Sequence, residues 1–281
     1  MLPVTQAVLL TPQPVETVEI QQPTINWHGV QFNRIPAANR AMVGGFAESD
    51  NPIHLVTWSS FYMTETPVTQ ASYKAIMGNN PSNFNGDRNP VETVTWHNAV
   101  EYAKQLSMLS DDISNEVKAA IGNLNTIDYM KYALAHPEVK LFRLPTESEW
   151  EFAARGQANG STENYPWGNT INDVDSYAQT SKNRELSGTQ PVGLLKPNGF
   201  GLKDMIGNVW EWTASVYGSD TFKACEHYDN HTGIEGWGSR VLRGGSWYDG
   251  DDRHLQSAYR HINDPGDGSD YVGFRLVRTN P

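Results

Sequence analysis

A single cysteine, Cys225, stands in 281 residues. One thiol excludes an internal disulfide and any thiolate metal cluster. No run of about 18 apolar residues occurs, so no segment is suited to cross a bilayer as a helix. Basic residues are scarce and scattered: 21 Lys and Arg stand against 32 Asp and Glu, for a net charge of -11. Neutralising phosphates takes an excess of cations on one face, which excludes nucleic acid and anionic membranes as partners. "GLLKPNGFGLKD" lacks the Gly-Lys-Ser/Thr of a phosphate loop, and no Gly-x-Ser-x-Gly nucleophile elbow is present. The opening "MLPVTQAVLLTPQPVETVEI" has no charged start and is interrupted by Pro3, Gln6, Pro12 and Pro14, so it does not read as an export signal. The expected location is the cytoplasm, or a phage or surface assembly.

What is present is glycine, proline and aromatic side chains: 24 Gly, 16 Pro, 9 Trp and 12 Tyr. That composition suits a compact, loop-rich protein of one domain, residues 25–281, behind an extended arm at 1–24. His54, Val56, Trp58 and Phe61 recur near a period of two, as strands require. Thr69 and Gly78 bracket a short helix. Thr95 begins a second helix, in which Ala99, Tyr102, Ala103 and Leu106 share a face. Thr146 and Glu149 form a capping box, with Trp150, Phe152 and Ala153 turned inward. Residues 110–139 read as a polar insertion of two short helices broken near Gly122–Asn125. Beyond residue 156 periodicity fades, and buried aromatics or a bound cation must hold the loops.

Seven segments occur in an order that resembles one family: "FYMTETPVTQASYKAIMG", "NPVETVTWHNAVEYAKQLS", "RLPTESEWEFAARG", "YPWGN", "PVGLLKPNGFGLKDMIGNVWEWTAS", "RVLRGGSW" and "VGFRLV". They resemble the formylglycine-generating-enzyme, or sulfatase-modifying-factor, family across roughly residues 40–278. The resemblance implies an α+β, C-type-lectin-like fold with small twisted antiparallel sheets, two main helices and extensive loops. Catalytic members place two copper-binding cysteines shortly after the Gly-Gly-Ser-aromatic segment. The matching positions here hold Asp249 and His254. Cu(I) takes soft sulfur donors, so no copper is expected. Asp249, His254 and His261 are the residue types of a two-His, one-carboxylate iron site, which leaves a metal-dependent oxidoreductase as the alternative; a purely structural module is a third reading.

Another branch of this fold comprises the variable proteins of diversity-generating retroelements. Resemblance to these implies that AAC codons near the 3′ end of the gene are rewritten to NNC, which cannot encode Lys, Glu, Gln, Met or Trp. In "YDGDDRHLQSAYRHINDPGDGSDY", residues 248–271, only Gln256 breaks that rule, and it sits with Leu255 and Ser257 in an assigned fixed frame. The candidate ligand-binding residues are Tyr248, Asp249, Gly250, Asp251, Asp252, His254, Tyr259, His261, Ile262, Asn263, Asp264, Gly266, Asp267, Gly268, Ser269, Asp270 and Tyr271. Tyr with Ser, Gly and Asn is also the mixture antigen-binding loops use. The expected partner is a protein or other macromolecule with a basic or hydroxyl-rich epitope. Arg243, Gly244, Gly245, Ser246 and Trp247 would lock the backbone, Trp247 as a core anchor. "KDMIGNVWEW" matches a calcium segment of the family, implying carboxylates from Asp204 and Glu211 and carbonyls from Gly207 and Val209, donors that suit Ca²⁺. Otherwise Asp204 caps a turn and Glu211 pairs with an arginine such as Arg243. A second calcium segment has Ser176 where Asn belongs and is left aside.

Overall fold

The computed structural model of the chain describes residues 24–27, 29–45, 51–182, 185, 187–218, 228–229 (backbone only) and 238–279. Residues 1–23 of the expected arm, and Cys225, lie outside the described residues. Strands β1 (Thr24–Trp27), β2 (Val30–Ile35), β3 (Ala38–Val43), β4 (His54–Trp58) and β5 (Phe61–Thr64) come first. Helices α1 (Gln70–Met77), α2 (Trp96–Leu109), α3 (Asn115–Gly122) and α4 (Thr126–Ala135) follow, then β6 (Phe142–Arg143), α5 (Glu147–Arg155) and α6 (Val174–Tyr177). The remainder carries β7 (Trp210–Val216), β8 (Tyr228–Asp229), β9 (Arg240–Arg243), β10 (His261–Asn263), β11 (Val272–Gly273) and β12 (Val277–Thr279).

Local sequence explains the helix boundaries. Thr69 accepts from Ser72 N at 3.3 Å, and Gly78 ends α1 at φ 80°. Thr95 and Asn98 cap α2 reciprocally, and Thr146 and Glu149 do the same for α5. Between α2 and β6 the chain forms α3 and α4, with Asn125 capping the second, and a 3₁₀ turn at Pro137–Val139. This insertion is docked, because Ile121, Tyr129 and Met130 are buried and Tyr129 Oη donates to Phe142 O at 2.6 Å.

Among the described residues three sheets result: β1-β2-β5-β12-β6, β10-β9-β7-β11 and β3-β4-β8. Their pairings are antiparallel except β11 with β7 and β4 with β8, a departure from the all-antiparallel expectation. Two cores flank the large sheet. One gathers α2, α4 and Trp212; the other gathers α5, Trp58, Phe61 and Met205. Indole N–H groups join sheet to helix, Trp96 Nε1 donating to Thr213 O at 2.9 Å and Trp212 Nε1 to Val94 O at 3.0 Å.

Candidate functional site: the C-terminal window and its frame

Buried charge holds the window from beneath. Arg155 pairs with Glu151 at 2.7 Å, Arg243 bonds the other oxygen of Glu151, and Arg260 clasps Glu147 at 2.5 and 3.0 Å. The frame reaches the window's main chain, since Arg243 Nη1 donates to Tyr259 O at 2.5 Å and Asn51 Nδ2 bonds both Glu151 Oε2 and Ala258 O. Burial works against ionising Glu151, but Arg155 and Arg243 outweigh it and hold the carboxyl down at about 2. Gly244 sits at φ 98°, and a Cβ there would meet Met205 O at 2.8 Å and the Trp150 ring at 3.0 Å. Only glycine fits.

Above this frame the window divides into held and free side chains. Leu255, Ser257, Ala258 and Arg260 are buried. Tyr248 is 70% exposed and Ile262 40% exposed, and His261, Asp264, Gly250, Gly266, Asp267 and Gly268 are exposed around them. Asp251, Asp252, Asn263, Ser269, Asp270 and Tyr271 are half-buried. Several serve the frame through their main chain: Ser269 O accepts from Thr93 N, Asp270 O from Trp247 Nε1, and Tyr271 O from Trp210 N.

Two expectations need correction. Asp249 is not a free contact residue: its side chain is 12% exposed, accepts from Ser246 N and Oγ at 2.9 and 2.6 Å, and meets His254 Nδ1 at 2.6 Å. It braces the turn that follows the glycines. Trp247 is no core anchor either. It is half-buried at the rim, edge-on to Phe84 at 5.3 Å and to Tyr248 at 5.5 Å, because Gly245 turns the chain outward before it.

Side chains outside the window complete the surface. Trp210 is buried, and its ring is the floor on which His261 (5.1 Å), Tyr259 (6.0 Å) and His254 (6.2 Å) rest. Desolvation of the ring face that rests on Trp210, with the neighbouring His254, lowers the His261 pKa, and Asp249 opposes. Lys182 pairs with Asp252, and Phe84 supports Trp247. No spacing in the sequence signals these partners, which arrive from loops far along the chain. Among the described residues, no three His, Cys, Asp or Glu side chains are placed to hold a metal ion, so Asp249, His254 and His261 do not form an iron triad.

The calcium segment is brought together in a different way. Glu211 binds Arg275, not Arg243: Arg275 Nε and Nη2 donate to its two oxygens at 2.7 and 2.8 Å, and Trp150 Nε1 donates at 2.6 Å. Asp204 Oδ2 accepts from Gly193 N at 2.6 Å, while Asp204 Oδ1 is buried with no hydrogen-bond partner among the described residues. Burial pushes the Asp204 carboxyl up to about 6, against the Gly193 bond and the Arg275 charge. An orphaned buried carboxylate oxygen beside a second carboxylate is donor chemistry a hard cation takes, so these residues fit calcium in that respect.

Small sheets wrapped around two principal helices, with the C-terminal loops presented on a glycine-tryptophan frame, define a C-type-lectin-like fold of the formylglycine-generating-enzyme type. The chain belongs to the family of the sulfatase-modifying factor enzyme 1-like domain, which matches residues 24–280. It is 33% identical to chaperone protein LppX of Paenibacillus barcinonensis, over 68% of this chain and 71% of that protein. It is 28% identical to the formylglycine-generating enzyme of Streptomyces coelicolor, over 87% of this chain and 88% of the enzyme. Among solved structures, Treponema denticola variable protein 1 superposes with a TM-score of 0.74 at 30% identity, covering 92% of this chain and 99% of that one.

Proposed function

We propose that the protein is a non-catalytic ligand-binding protein whose C-terminal window is a diversifiable surface, as in retroelement variable proteins. The observation that carries this reading is the division inside the window. Leu255, Ser257, Ala258 and Arg260 are buried, while Tyr248, His261, Ile262, Asp264 and Asp267 project. A surface can vary only where its side chains do not hold the fold. Similarity to Treponema denticola variable protein 1 over nearly the whole chain supports the same reading. Copper chemistry of the formylglycine kind has no thiolate pair to use here, because the matching positions hold Asp249 and His254. With carboxylates outnumbering cations on the window, the ligand is a protein or other macromolecule presenting basic or hydroxyl groups. Sequencing the locus tests this. A near-copy of the DNA for residues 240–276, with AAC at the projecting positions and a reverse-transcriptase gene nearby, is the expected result. A locus with neither would overturn it.

The same reading includes a structural calcium ion held by Asp204, Glu211 and the carbonyls of Gly207 and Val209, with Glu211 sharing its oxygens with Arg275. The ion would neutralise the buried Asp204 carboxylate. Chelation is expected to lower the melting temperature of the native protein and to leave Asp204→Ala unaffected. Equal melting with and without chelator in both proteins rules the ion out.

A further inference from the structure

The insertion at 110–139 builds one wall of a groove that no residue of the window lines. Leu134 and Pro137 come from the insertion. Trp58, Phe61 and Thr279 come from the ends of β4, β5 and β12, and Arg143 from β6. Leu134 belongs to the first core and Trp58 and Phe61 to the second, so the groove lies where the two meet. Its volume of about 410 Å³ falls within the ~300–1,000 Å³ of ligand clefts.

The polar groups on its walls are unevenly matched. Arg143 meets Glu149 end-on, Nη1 and Nη2 donating to its two oxygens at 2.7 Å each. The side edge of the guanidinium, Nε with the second hydrogen of Nη2, is left over, and Nε has no acceptor among the described residues. Arg155 and Arg275 fill that edge with a carboxylate, giving Nε and Nη2 to Glu151 at 2.9 and 2.7 Å and to Glu211 at 2.7 and 2.8 Å. Arg260 does the same with Glu147. Arg240 and Arg243 also leave Nε unbonded, but of these three only Arg143 lines this groove. Trp58 Nε1, on a second lining residue, is unbonded too. Trp58 is 9% exposed and Arg143 3%, so bulk water serves neither well. Native interiors leave few such donors unmatched, and the side edge of an arginine is shaped to take an oxygen acceptor.

Charge narrows what that acceptor belongs to. Glu149 already neutralises Arg143, and the remaining charged residue on the walls is Glu138. An anion entering here gives up its hydration and meets a surplus of negative charge. A cation meets N–H donors. An uncharged molecule with an apolar body and carbonyl oxygens suits both the donors and the apolar walls.

We propose that this groove is a second binding site, separate from the window, for a small apolar amide whose carbonyl oxygens accept from Trp58 Nε1 and the side edge of Arg143. Titrating the native, isotopically labelled protein with N-acetyl-leucinamide tests this through the indole N–H resonances, with Trp58→Phe identifying that of Trp58. The Trp58 resonance is expected to move saturably in the direction of a new hydrogen bond. N-acetyl-leucine, which carries a carboxylate in place of the amide, should bind at least about tenfold more weakly. Ser59 is an exposed lining residue, so Ser59→Trp fills the groove without disturbing a core and should abolish binding. Calorimetry of the native and Ser59→Trp proteins makes the same comparison should Trp58→Phe not fold. An unmoved Trp58 resonance, or equal binding to Ser59→Trp, overturns the proposal. Equal or tighter binding of N-acetyl-leucine also overturns it, by making the ligand an anion.

Discussion

Replacing Arg243 with Ala will lower the unfolding free energy by about 3–5 kcal/mol, the range for breaking a buried pair and stranding its partner. Arg243 is fully buried and bonds Glu151, the Tyr259 carbonyl and, more loosely, Glu147 at 3.9 Å. The substitution leaves Glu151 with Arg155, Asn51 and the Gly44 N–H. Urea titration of both proteins measures the difference. Arg253→Ala is the control: its pair with Asp251 is 55% and 38% exposed, and the unfolding midpoint should stay where it is. Acid adds a second reading. The Glu151 carboxyl has an ordinary value of 4.5 and is held at about 2, so its contribution is complete above the ordinary value and is lost as pH falls toward the lower one. With one of its two cations gone, the Arg243→Ala protein should lose less of its remaining stability over that interval. An equal loss in both proteins would mean that Arg243 does not hold the carboxyl down.

Leu255→Ala is the second large effect, at about 2–5 kcal/mol for emptying a fully buried leucine site. Leu255 has no exposed surface and lies close to Gly245, where a Cβ would approach its Cδ2 at 2.9 Å. Seven residues earlier, Tyr248 is mostly exposed. Tyr248→Asn, Ile262→Ser, Asp264→Tyr and Asp267→Ser together should leave the melting curve nearly unchanged, since exposed substitutions stay within about 0.5 kcal/mol each. They should change what the protein retains from a panel of candidate ligands. Should the fourfold variant unfold like Leu255→Ala, the window is structural and the binding reading fails.

Helix boundaries were legible in the sequence because caps are local. Thr69, Thr95 and Thr146 each bond a backbone N–H three residues on, and four adjacent residues suffice to specify that contact. Strands after residue 200 were not legible for a physical reason. In β7 six of seven residues are buried, so no alternation of polar and apolar side chains marks it as a strand. The window stood out by composition, but its division into held and free positions did not. Leu255 and Ser257 could be assigned to the frame, whereas nothing in the sequence marks Arg260, which is buried against Glu147, 113 positions away. Asp249 carries the same lesson in reverse, reading as a ligand contact while serving as a brace. Glu211 found Arg275 rather than Arg243 because the parallel pairing of β11 with β7 places the C-terminal "GFR" segment beside it, a contact between residues 64 positions apart.

The place of β12 has a consequence for how variants of this gene survive. That strand lies between β5 and β6, inside the largest sheet, and it is translated after the window. A frameshift or premature stop anywhere in residues 248–271 therefore deletes an interior stave together with Phe274 and Arg275. Such products lack an interior strand of that sheet, so a folded copy requires reading in frame through the whole of residues 248–271.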